Sequence, residues 1–387
     1  MSVLVDRADS GVALTIVRSL GRRGVDVTAA ASKKHALTFY SKYCKRKLQY
    51  PSPKREKELF IKKILEFVKN NNYEVLFTLG GIEMELISQY RHEFSSYVKI
   101  PLVNHETLMK ARDKGQVLKI AMENDIPCPE THFPEKVSDV EEIKNKLNYP
   151  VVIKPRFGRG AKGVTYVTSP KELVTRFRQI VATHGSSIIQ EYIPHGGAYG
   201  FEALFNEDSK LRAFFVHKRI REYPVTGGPS TLRESVYYPE AVKYGTKLLE
   251  TLNWYGVAMV EFRKDPRDGK LKLMEINPRF WGSLALSVAA GVDFPYLLYK
   301  MAVDGDIKPV FDYKTGVKCR WLLFGDIKHL LSVMKGVKSD FGFKSPSRFK
   351  TLIDFLKFYE KDLHYDILSL DDPKPAIFKI LRSILRV

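Results

Sequence analysis

One stretch of the 387-residue chain places polar side chains in apolar, strand-like sequence, where they cannot be buried alone. Glu261 lies in one such run, and Glu275, Asn277 and Arg279 lie in and just after a second run that follows a polar connection. Burying these groups without partners costs several kcal/mol each, and the flanking residues supply no partner. Two divalent cations with a polyphosphate between them would satisfy all four. The alternative is a surface hairpin whose charges face water.

The spacing of these residues predicts an antiparallel hairpin. The connection, residues 263–270, contains Pro266 and Asp268-Gly269, which are strong turn signals. A turn centred there places Glu261 and Glu275 close to opposite each other, and alternation puts Asn277 on the same face as Glu275. Two facing carboxylates without a cation would repel each other, and one would be protonated. Mg²⁺ suits this set because it takes a few carboxylate oxygens together with substrate phosphates.

Composition sets only loose limits on function. The chain is 44% apolar and 28% charged, which is typical of a soluble protein, and no run reaches the length of a membrane span. Its three cysteines (Cys44, Cys128 and Cys319) lie far apart without metal-ligand spacing, so we expect a cytoplasmic protein without zinc. The net charge of +19 fits a polyanionic ligand, nucleic acid or an acidic membrane. Because the basic residues are spread along the chain without a nucleic-acid-binding motif, a generally basic surface with no specific nucleic-acid partner is favoured.

The first hundred residues alternate between strand and helix patterns. Residues 3–5, 24–29 and 75–78 predict strands, and residues 13–20 and 59–68 predict helices, the first with Arg18 on its polar side. This alternation predicts an α/β unit with a parallel sheet covered on both faces. Ligands bind such sheets at the carboxyl ends of the strands, where Asp9 and Glu83 are candidates to bind an amine. The first strand is not followed by G-x-G-x-x-G, which excludes a dinucleotide site there.

A G-x-G-x-x-G sequence does join two later strand-like runs, with its glycines at Gly158, Gly160 and Gly163. A dinucleotide fold would need a helix after it, a P-loop would need Ser or Thr after a Gly-Lys pair, and a protein kinase would place its lysine after the loop. The remaining use is a flap whose backbone N–H groups, Arg159 and Lys162 fold over phosphates. Lys154, which ends the preceding apolar strand, favours this flap over a plain surface hairpin.

Two further segments agree with a nucleotide site. Residues 187–194 predict a strand that runs into a proline-marked bend, where adenine could bond to the backbone and Glu191 could accept its exocyclic amine. Lys114 begins a predicted helix and could reach a phosphate, although a lone lysine on a helix is normally solvated.

The order of these segments resembles the ATP-grasp superfamily, most closely its carbamoyl-phosphate-synthase-like carboxylate–amine ligases. The resemblance covers roughly residues 1–305 and depends on order, because each motif alone is weakly specific. Its motifs are Asp113-Lys114, Ile-Pro-x-Pro at 126–129, Val-Val-Ile-Lys-Pro at 151–155, the glycine flap, Gln-Glu-Tyr-Ile at 190–193, Val-Glu-Phe at 260–262 and Met-Glu-Ile-Asn-Pro-Arg at 274–279.

The resemblance implies a fold of the α/β class, of the α+β ATP-grasp type, in which two lobes clasp ATP. An N-terminal parallel-sheet domain would span residues 1–104, and the first lobe with the glycine flap residues 105–185. The second lobe with the metal site would span residues 186–305, followed by a mostly helical extension at 306–387.

The resemblance also implies ligands. Lys114, Lys154 and the flap would bind the phosphates of ATP, and the metal ligands would hold two Mg²⁺ ions, with Mn²⁺ as an alternative. Lys154 and Arg279 would act in catalysis, Arg279 by stabilising the transferring phosphoryl group. Glu202 is a candidate for the ribose, since residues 195–200 depart from the usual carboxylate-bearing stretch. The metal ligands would be Glu261, Glu275 and Asn277, and the adenine contacts Gln190, Glu191, Tyr192 and Ile193.

The implied reaction converts a carboxylate into an acyl phosphate at the expense of ATP, and an amine then displaces phosphate to give an amide. The partners would be a small-molecule carboxylate and amine, and a homodimer is compatible with the sequence. Another acyl-phosphate enzyme, a carboxylase or phosphotransferase, and a nucleotide-binding regulator without turnover are the alternatives. Candidates for an anionic substrate, unless they form a solvated basic edge, are Lys218, Arg219 and Arg233.

The end of the chain predicts an amphipathic helix that carries Lys379, Arg382 and Arg386. Such a helix caps the core, is buried in a dimer, or lies on an anionic membrane, and capping is the favoured alternative. Its apolar positions are Ile377, Phe378, Ile380, Leu381, Ile384, Leu385 and Val387.

Overall fold

The computed structural model describes residues 2–158, 160, 162–336 and 345–384. Its N-terminal domain contains a four-stranded sheet in the order β3-β2-β1-β4, and every pairing in it is parallel. The strands are β1 (Ser2–Val5), β2 (Asp26–Ala31), β3 (Cys44–Gln49) and β4 (Val75–Phe77). The helices are α1 (Gly11–Arg22), α2 (Lys57–Lys69), α3 (Gly81–Gln89) and α4 (Arg91–Phe94). The predicted parallel α/β unit is confirmed.

Strand β3 was not predicted. It lies at the edge of the sheet, and only Leu48 of its six side chains is buried. Its sequence is therefore mostly polar and lacks the apolar run that marks the inner strands β1 and β2.

The first lobe has a four-stranded antiparallel sheet in the order β5-β8-β6-β7, which packs against two helices through Val140, Ile153 and Phe177. Its helices are α5 (His105–Arg112), α6 (Lys114–Glu123), α7 (Val137–Ile143) and α8 (Pro170–His184). Its strands are β5 (Thr131–His132), β6 (Val151–Pro155), β7 (Thr165–Val167) and β8 (Ser187–Glu191). Because β8 pairs with β6, the sheet of this lobe extends to Glu191, past the predicted boundary at residue 185.

The second lobe is built on antiparallel strands in the order β13-β12-β9-β10-β11. One face, with Phe201 and Val260, packs on α9, and the other, with Phe215 and Met259, packs on the N-terminal domain. The predicted metal ligands lie at one end of this second face. The strands are β9 (Ala198–Phe205), β10 (Leu211–Glu222), β11 (Ser230–Ser235), β12 (Gly256–Lys264) and β13 (Leu271–Asn277). The helices are α9 (Pro239–Thr251), α10 (Leu284–Ala289) and α11 (Phe294–Asp304).

The C-terminal extension contains three helices and also two short strands that the sequence did not predict. Its strand β14 (Lys318–Arg320) pairs with β11, and β15 (Leu363–Tyr365) pairs with β14, so that the sheet of the second lobe grows to seven strands. Its helices are α12 (Ile327–Lys335), α13 (Arg348–Leu356) and α14 (Lys374–Ile384). Across residues 2–336 and 345–384, apart from 159 and 161, no helix has both the length and the apolar character needed to cross a membrane.

The terminal helix α14 packs on the N-terminal domain. Phe378 stacks on Tyr40 with ring centroids 4.0 Å apart, in agreement with the capping alternative for this face of the helix. Three residues of the predicted helix, Leu385, Arg386 and Val387, lie outside the described residues.

The placement of Arg18 on the polar side of α1 was wrong. Its side chain is buried, and its Nε lies 2.9 Å from Oδ2 of Asp372, in the segment just before α14. The charge is accommodated because Arg18 also donates to the carbonyl oxygens of Ile367 and Asp372. A partner so distant in the chain leaves no local sequence signal.

Candidate active site

The predicted hairpin of β12 and β13 is present, and the structure supplies the register that a connection this long does not fix. Glu261 lies directly opposite Glu275, and Met259 lies opposite Asn277, so all three polar side chains share one face. Asn277 joins the carboxylates, because its Nδ2 donates to Oε1 of Glu261 at 2.9 Å and contacts Oε1 of Glu275 at 3.4 Å. In the described part of the chain, no three Asp, Glu, His or Cys side chains are grouped as metal ligands, so this set is limited to two carboxylates and one amide.

Each carboxylate has a basic partner. Nζ of Lys114, the first residue of α6, lies 2.9 Å from Oε2 of Glu275, and Nη2 of Arg219 on β10 lies 2.6 Å from Oε2 of Glu261. Arg219 also contacts Glu222 at 3.3 Å. Lys114, predicted as a phosphate ligand, and Arg219, predicted as a substrate ligand, therefore both lie at the carboxylate pair.

These basic partners change the expected protonation of the pair. Burial raises the pKa of Glu275, but the charges of Lys114 and then of Lys154 and Arg219 lower it by more, so the net shift is downward. The sequence did not predict that side-chain cations would supply this charge, and the structure places Lys114 and Arg219 beside the two carboxylates.

Arg279 links the hairpin to the N-terminal domain. Its Nη2 donates to Oδ1 of Asn277 at 2.7 Å, and its Nη1 donates to the carbonyl oxygen of Phe280 at 2.8 Å. Its Cδ lies against Gly80, where a Cβ would be 2.5 Å away, and the φ of +112° at Gly80 also favours glycine. Gly80 follows the carboxyl end of β4, so Arg279 lies at the edge where a parallel sheet binds ligands.

Lys154 reaches the same site from β6 of the first lobe. Its Nζ donates to Oε1 of Gln190 at 2.6 Å, and Gln190 is held in turn by the Oγ1 of Thr131 at 2.9 Å. Burial, followed by the charge of Arg263, lowers the pKa of Lys154 to about 7, against the smaller opposing effect of Glu275. Gln190, predicted as a nucleotide contact, accepts a hydrogen bond from this lysine.

The pairing of Asp113 with Arg156 was not predicted, although Asp113 belongs to the Asp113-Lys114 motif. Asp113 caps α6 by accepting from the N–H groups of Gly115 and Gln116, and it accepts from Nε of Arg156 at 2.8 Å. A Cβ on Gly115 would lie 2.8 Å from that Nε. The pair fixes Lys114 and Lys154 relative to each other, because Arg156 follows β6 directly.

The glycine-rich segment links two antiparallel strands, β6 and β7, as predicted. Gly160 and Gly163 have positive φ, and a Cβ on Gly163 would approach Pro155 and His184 to within 2.8 Å. Lys162 is exposed, and Arg159, also predicted as a phosphate ligand, lies outside the described residues. The described residues of the loop thus follow β6, the strand that carries Lys154.

The bend after β8 has partners of its own. Glu191 accepts from the N–H of Glu130 at 3.0 Å and from Arg267 at 2.9 Å. The carbonyl oxygen of Ile193 accepts from Nη1 of Arg263 at 3.2 Å, and the ring of Tyr192 meets Tyr166 edge-on. Arg263 was missed, although it lies two residues after Glu261 and so on the same face of β12.

Three predicted ligand contacts are not brought to the site. Glu202 is fully buried beside His217 and accepts from Oγ of Ser283 at 2.6 Å, so it is not available to a ribose. Arg233 is 1% exposed and is held by Asp366, which gives it a structural role. Lys218 is exposed on the face of β10 opposite to Arg219. Glu202 and Arg233 are held away from the site by partners that the local sequence does not show. Lys218 lies on the other face of β10 because side chains alternate along a strand.

Two family descriptions match the chain on either side of the bend after β8. Residues 113–193 match the ATP-binding domain of the carbamoyl-phosphate synthase L chain, and residues 211–323 match the ATP-grasp of a biosynthetic pathway with the Ter operon. The chain belongs to the ATP-grasp superfamily. The resemblance predicted from the sequence is thereby confirmed. Lys154 of this ATP-grasp chain lies in the first matched segment, and the hairpin with Glu261 and Glu275 lies in the second.

Individual proteins agree with this membership. The chain is 23% identical over 233 residues to the carbamoyl phosphate synthase large chain of Saccharolobus islandicus, with 57% of this chain and 22% of that one covered. It is 25% identical over 231 residues to the D-aspartate ligase of Enterococcus faecium, with 54% of each covered. The chain thus spans about a fifth of the length of the carbamoyl phosphate synthase large chain and about half of the length of the D-aspartate ligase. A biotin carboxylase–ATP complex from Campylobacter jejuni has the same fold, with a TM-score of 0.70, 16% identity and coverage of 82% and 74%.

Proposed function

We propose that this protein is an ATP-dependent carboxylate–amine ligase that forms an acyl phosphate and releases ADP and phosphate. The observation that carries the proposal is the Glu261–Glu275 pair, with Lys114, Lys154 and Arg279 around it. The likeness to the D-aspartate ligase over 231 residues supports this chemistry, since its name describes the joining of an amino acid.

The hairpin fits a hard divalent cation. Its two carboxylates and the amide oxygen of Asn277 are oxygen donors on one face, and their present partners are positively charged side chains. We propose that Glu261, Glu275 and Asn277 hold two Mg²⁺ ions, with Mn²⁺ as an alternative. When bound, such ions neutralise charge on the phosphates of ATP.

Carboxylate activation needs charge neutralisation and positioning more than acid–base catalysis. A carboxylate oxygen of the substrate attacks the γ-phosphorus of ATP, the bond from that phosphorus to the bridging oxygen breaks, and ADP leaves. The amine nitrogen then bonds to the carbonyl carbon, the bond from that carbon to the phosphate oxygen breaks, and the nitrogen loses a proton. Lys154 and Lys114 would bind the phosphates, and Arg279 the transferring phosphoryl group. The glycine flap would exclude water from the acyl phosphate.

We propose that the nucleotide base lies at the bend after β8, near Glu191 and the backbone of Ile193. Arg263 would position the phosphate end, because it contacts the Ile193 carbonyl and lies close enough to Lys154 for its charge to lower the pKa of that lysine. Glu191 would have to exchange its contact with Arg267 for one with the base.

The test is a screen of ATP turnover by the full chain with pooled carboxylates and pooled amines, in which ADP, AMP and phosphate are quantified separately. Bicarbonate alone is included because a carboxylase would use it. The proposal expects ADP and phosphate in equal amounts only when a carboxylate and an amine are both present. ADP formation with bicarbonate alone would favour a carboxylase. The absence of turnover in every pool would favour a regulator. AMP as the product would contradict an acyl-phosphate route.

A further inference from the structure

Two helices of the C-terminal extension carry apolar stripes on their outward faces. The stripe of α13 spans side chains that are 38–73% exposed, and the stripe of α14 spans side chains that are 38–70% exposed. Both follow the spacing i, i+3, i+4, i+7, which defines one face of a helix. The stripes are Phe349, Leu352, Ile353 and Leu356 on α13, and Ile377, Ile380, Leu381 and Ile384 on α14.

These stripes are distinct from the faces that pack on the protein. On α14 the packed side chains include Ala376 and Phe378, which contact the N-terminal domain, and on α13 Thr351 is buried. Among the described residues, 13 of the 21 exposed large hydrophobic side chains lie between residues 331 and 384. Single exposed hydrophobic residues are ordinary, but such a concentration at helical spacing marks an interaction surface.

The same helices are strongly basic. Together, α12, α13 and α14 contain seven Lys or Arg residues and one acidic residue, Asp354, which pairs with Lys357. The helices α12 and α13 contact each other. Burial and the charge of Arg382 lower the pKa of Lys379 on α14, against the opposing charge of Asp9, and Lys328 of α12 lowers it further. We call the outward faces of the three helices the C-terminal surface.

We propose that the C-terminal surface binds an anionic lipid bilayer peripherally. Apolar stripes that enter the headgroup region, bordered by cations that face lipid phosphates, are the two components of interfacial binding by helices. No described helix can cross a membrane, so the contact would be confined to the surface. A second copy of this chain is a poor occupant, because a symmetric contact would bring the same seven cations against each other.

The test is sedimentation of the full chain with vesicles of phosphatidylcholine alone or mixed with phosphatidylglycerol. We expect binding to the mixed vesicles that weakens with added salt, and little binding to the neutral ones. The stripe variant I377S/I380S/L381S should lose this binding. The control is L59S/Y97S, which removes exposed apolar side chains from the N-terminal domain and should bind as the parent does.

A second pair of variants tests the charges. R348Q/K350Q should weaken vesicle binding about fivefold for each charge removed. The control K62Q/K63Q removes two exposed cations from α2 and should have a smaller effect. Equal binding to neutral and mixed vesicles would overturn the proposal, as would undiminished vesicle binding by the stripe variant. Capture of an acidic protein by a chain that does not bind vesicles would also overturn it. The assay needs no ATP, so its failure would leave the proposed ligase activity untouched.

Discussion

Glu261 and Glu275 lie directly opposite each other across β12 and β13, and their basic partners come from different lobes. Lys114 extends to Glu275 from the first lobe, and Arg219 extends to Glu261 from the second. The ion pairs are 2.9 Å and 2.6 Å long, and all four side chains are less than a third exposed. The carboxylate pair is therefore charge-balanced without a metal, and a divalent cation must compete with Lys114 and Arg219 for it.

The Lys114→Gln variant should separate metal binding from catalysis. Removing the ammonium group takes a competing cation from Glu275, so Mn²⁺ should bind more tightly in the absence of nucleotide. ATP turnover should fall on the order of a hundredfold, because a phosphate ligand is lost. Manganese titration followed by electron paramagnetic resonance and an ADP assay measure the two effects, with the exposed Lys110→Gln as control. Weaker metal binding in K114Q would contradict the competition.

The pKa of Lys154 predicts a pH-dependent uptake of a proton on ATP binding. Because the folded-state pKa is lowered from 10.5 to about 7, the free enzyme has a mostly neutral Lys154 above pH 7. The phosphates of bound ATP raise the pKa of Lys154, so the enzyme should take up close to one proton when it binds ATP at about pH 8 to 9. Affinity should then fall by up to about tenfold per pH unit as the pH rises.

The proton uptake can be measured by titration calorimetry in two buffers of different ionisation enthalpy. The lowered pKa of Lys154 also makes the free energy of unfolding depend on pH. Folding with Lys154 protonated is unfavourable below pH 7, and this cost is lost as the pH rises towards 10.5. Lys154→Met should abolish the proton uptake, and an uptake that persists in this variant would assign it to another group.

Gly80→Ala should impair catalysis through Arg279. A Cβ at this position would lie 2.5 Å from Cδ of Arg279, and the positive φ adds about 1–3 kcal/mol of strain. Because Arg279 is proposed to contact the transferring phosphoryl group, kcat should fall more than ATP affinity. Steady-state kinetics with Gly11→Ala as control tests this, since Gly11 has open space around its missing Cβ. An unchanged kcat in G80A would remove Arg279 from the reaction.

The buried pair of Arg18 and Asp372 should anchor the end of the chain. Asp372→Ala leaves Arg18 buried without its carboxylate, and we expect a loss of about 3–5 kcal/mol of stability. The neighbouring Asp371 pairs with Arg22 and Lys42 at an exposed position, so Asp371→Ala should cost much less stability than Asp372→Ala. Urea unfolding of the two variants measures the difference, and equal losses would contradict the role assigned to Asp372.

The sequence predicted the site best where the determinants are local. The turn signals at Asp268-Gly269 and the alternation of Glu275 and Asn277 were sufficient to predict the hairpin and to bring Glu261 close to Glu275, although they did not fix the register. The apolar runs on either side of the glycines were sufficient to predict that this segment links two strands, β6 and β7. Each of these inferences depends on a few neighbouring residues and on strand periodicity.

The errors concern polar residues whose partners are far away in the chain. Glu202 and Arg233 have the same sequence appearance as site residues, but His217 and Asp366 accompany them in the interior. Arg18 was placed on the polar side of α1 because its partner, Asp372, is at the other end of the chain. Arg263 was missed because the carbonyl that it contacts, at Ile193, belongs to a bend between lobes. Tertiary packing, which local patterns do not encode, decides these cases.

The central claim is that the hairpin carboxylates bind the metal–ATP complex, and the most direct measurement is ADP formation by Glu275→Gln across a magnesium titration. The matched control is Glu240→Gln, an exposed carboxylate on α9. The proposal predicts that E275Q stays folded but loses turnover on the order of a thousandfold at every magnesium concentration, while E240Q behaves as the parent chain. Full turnover by E275Q at the magnesium concentration of the parent would contradict the metal assignment and the function derived from it.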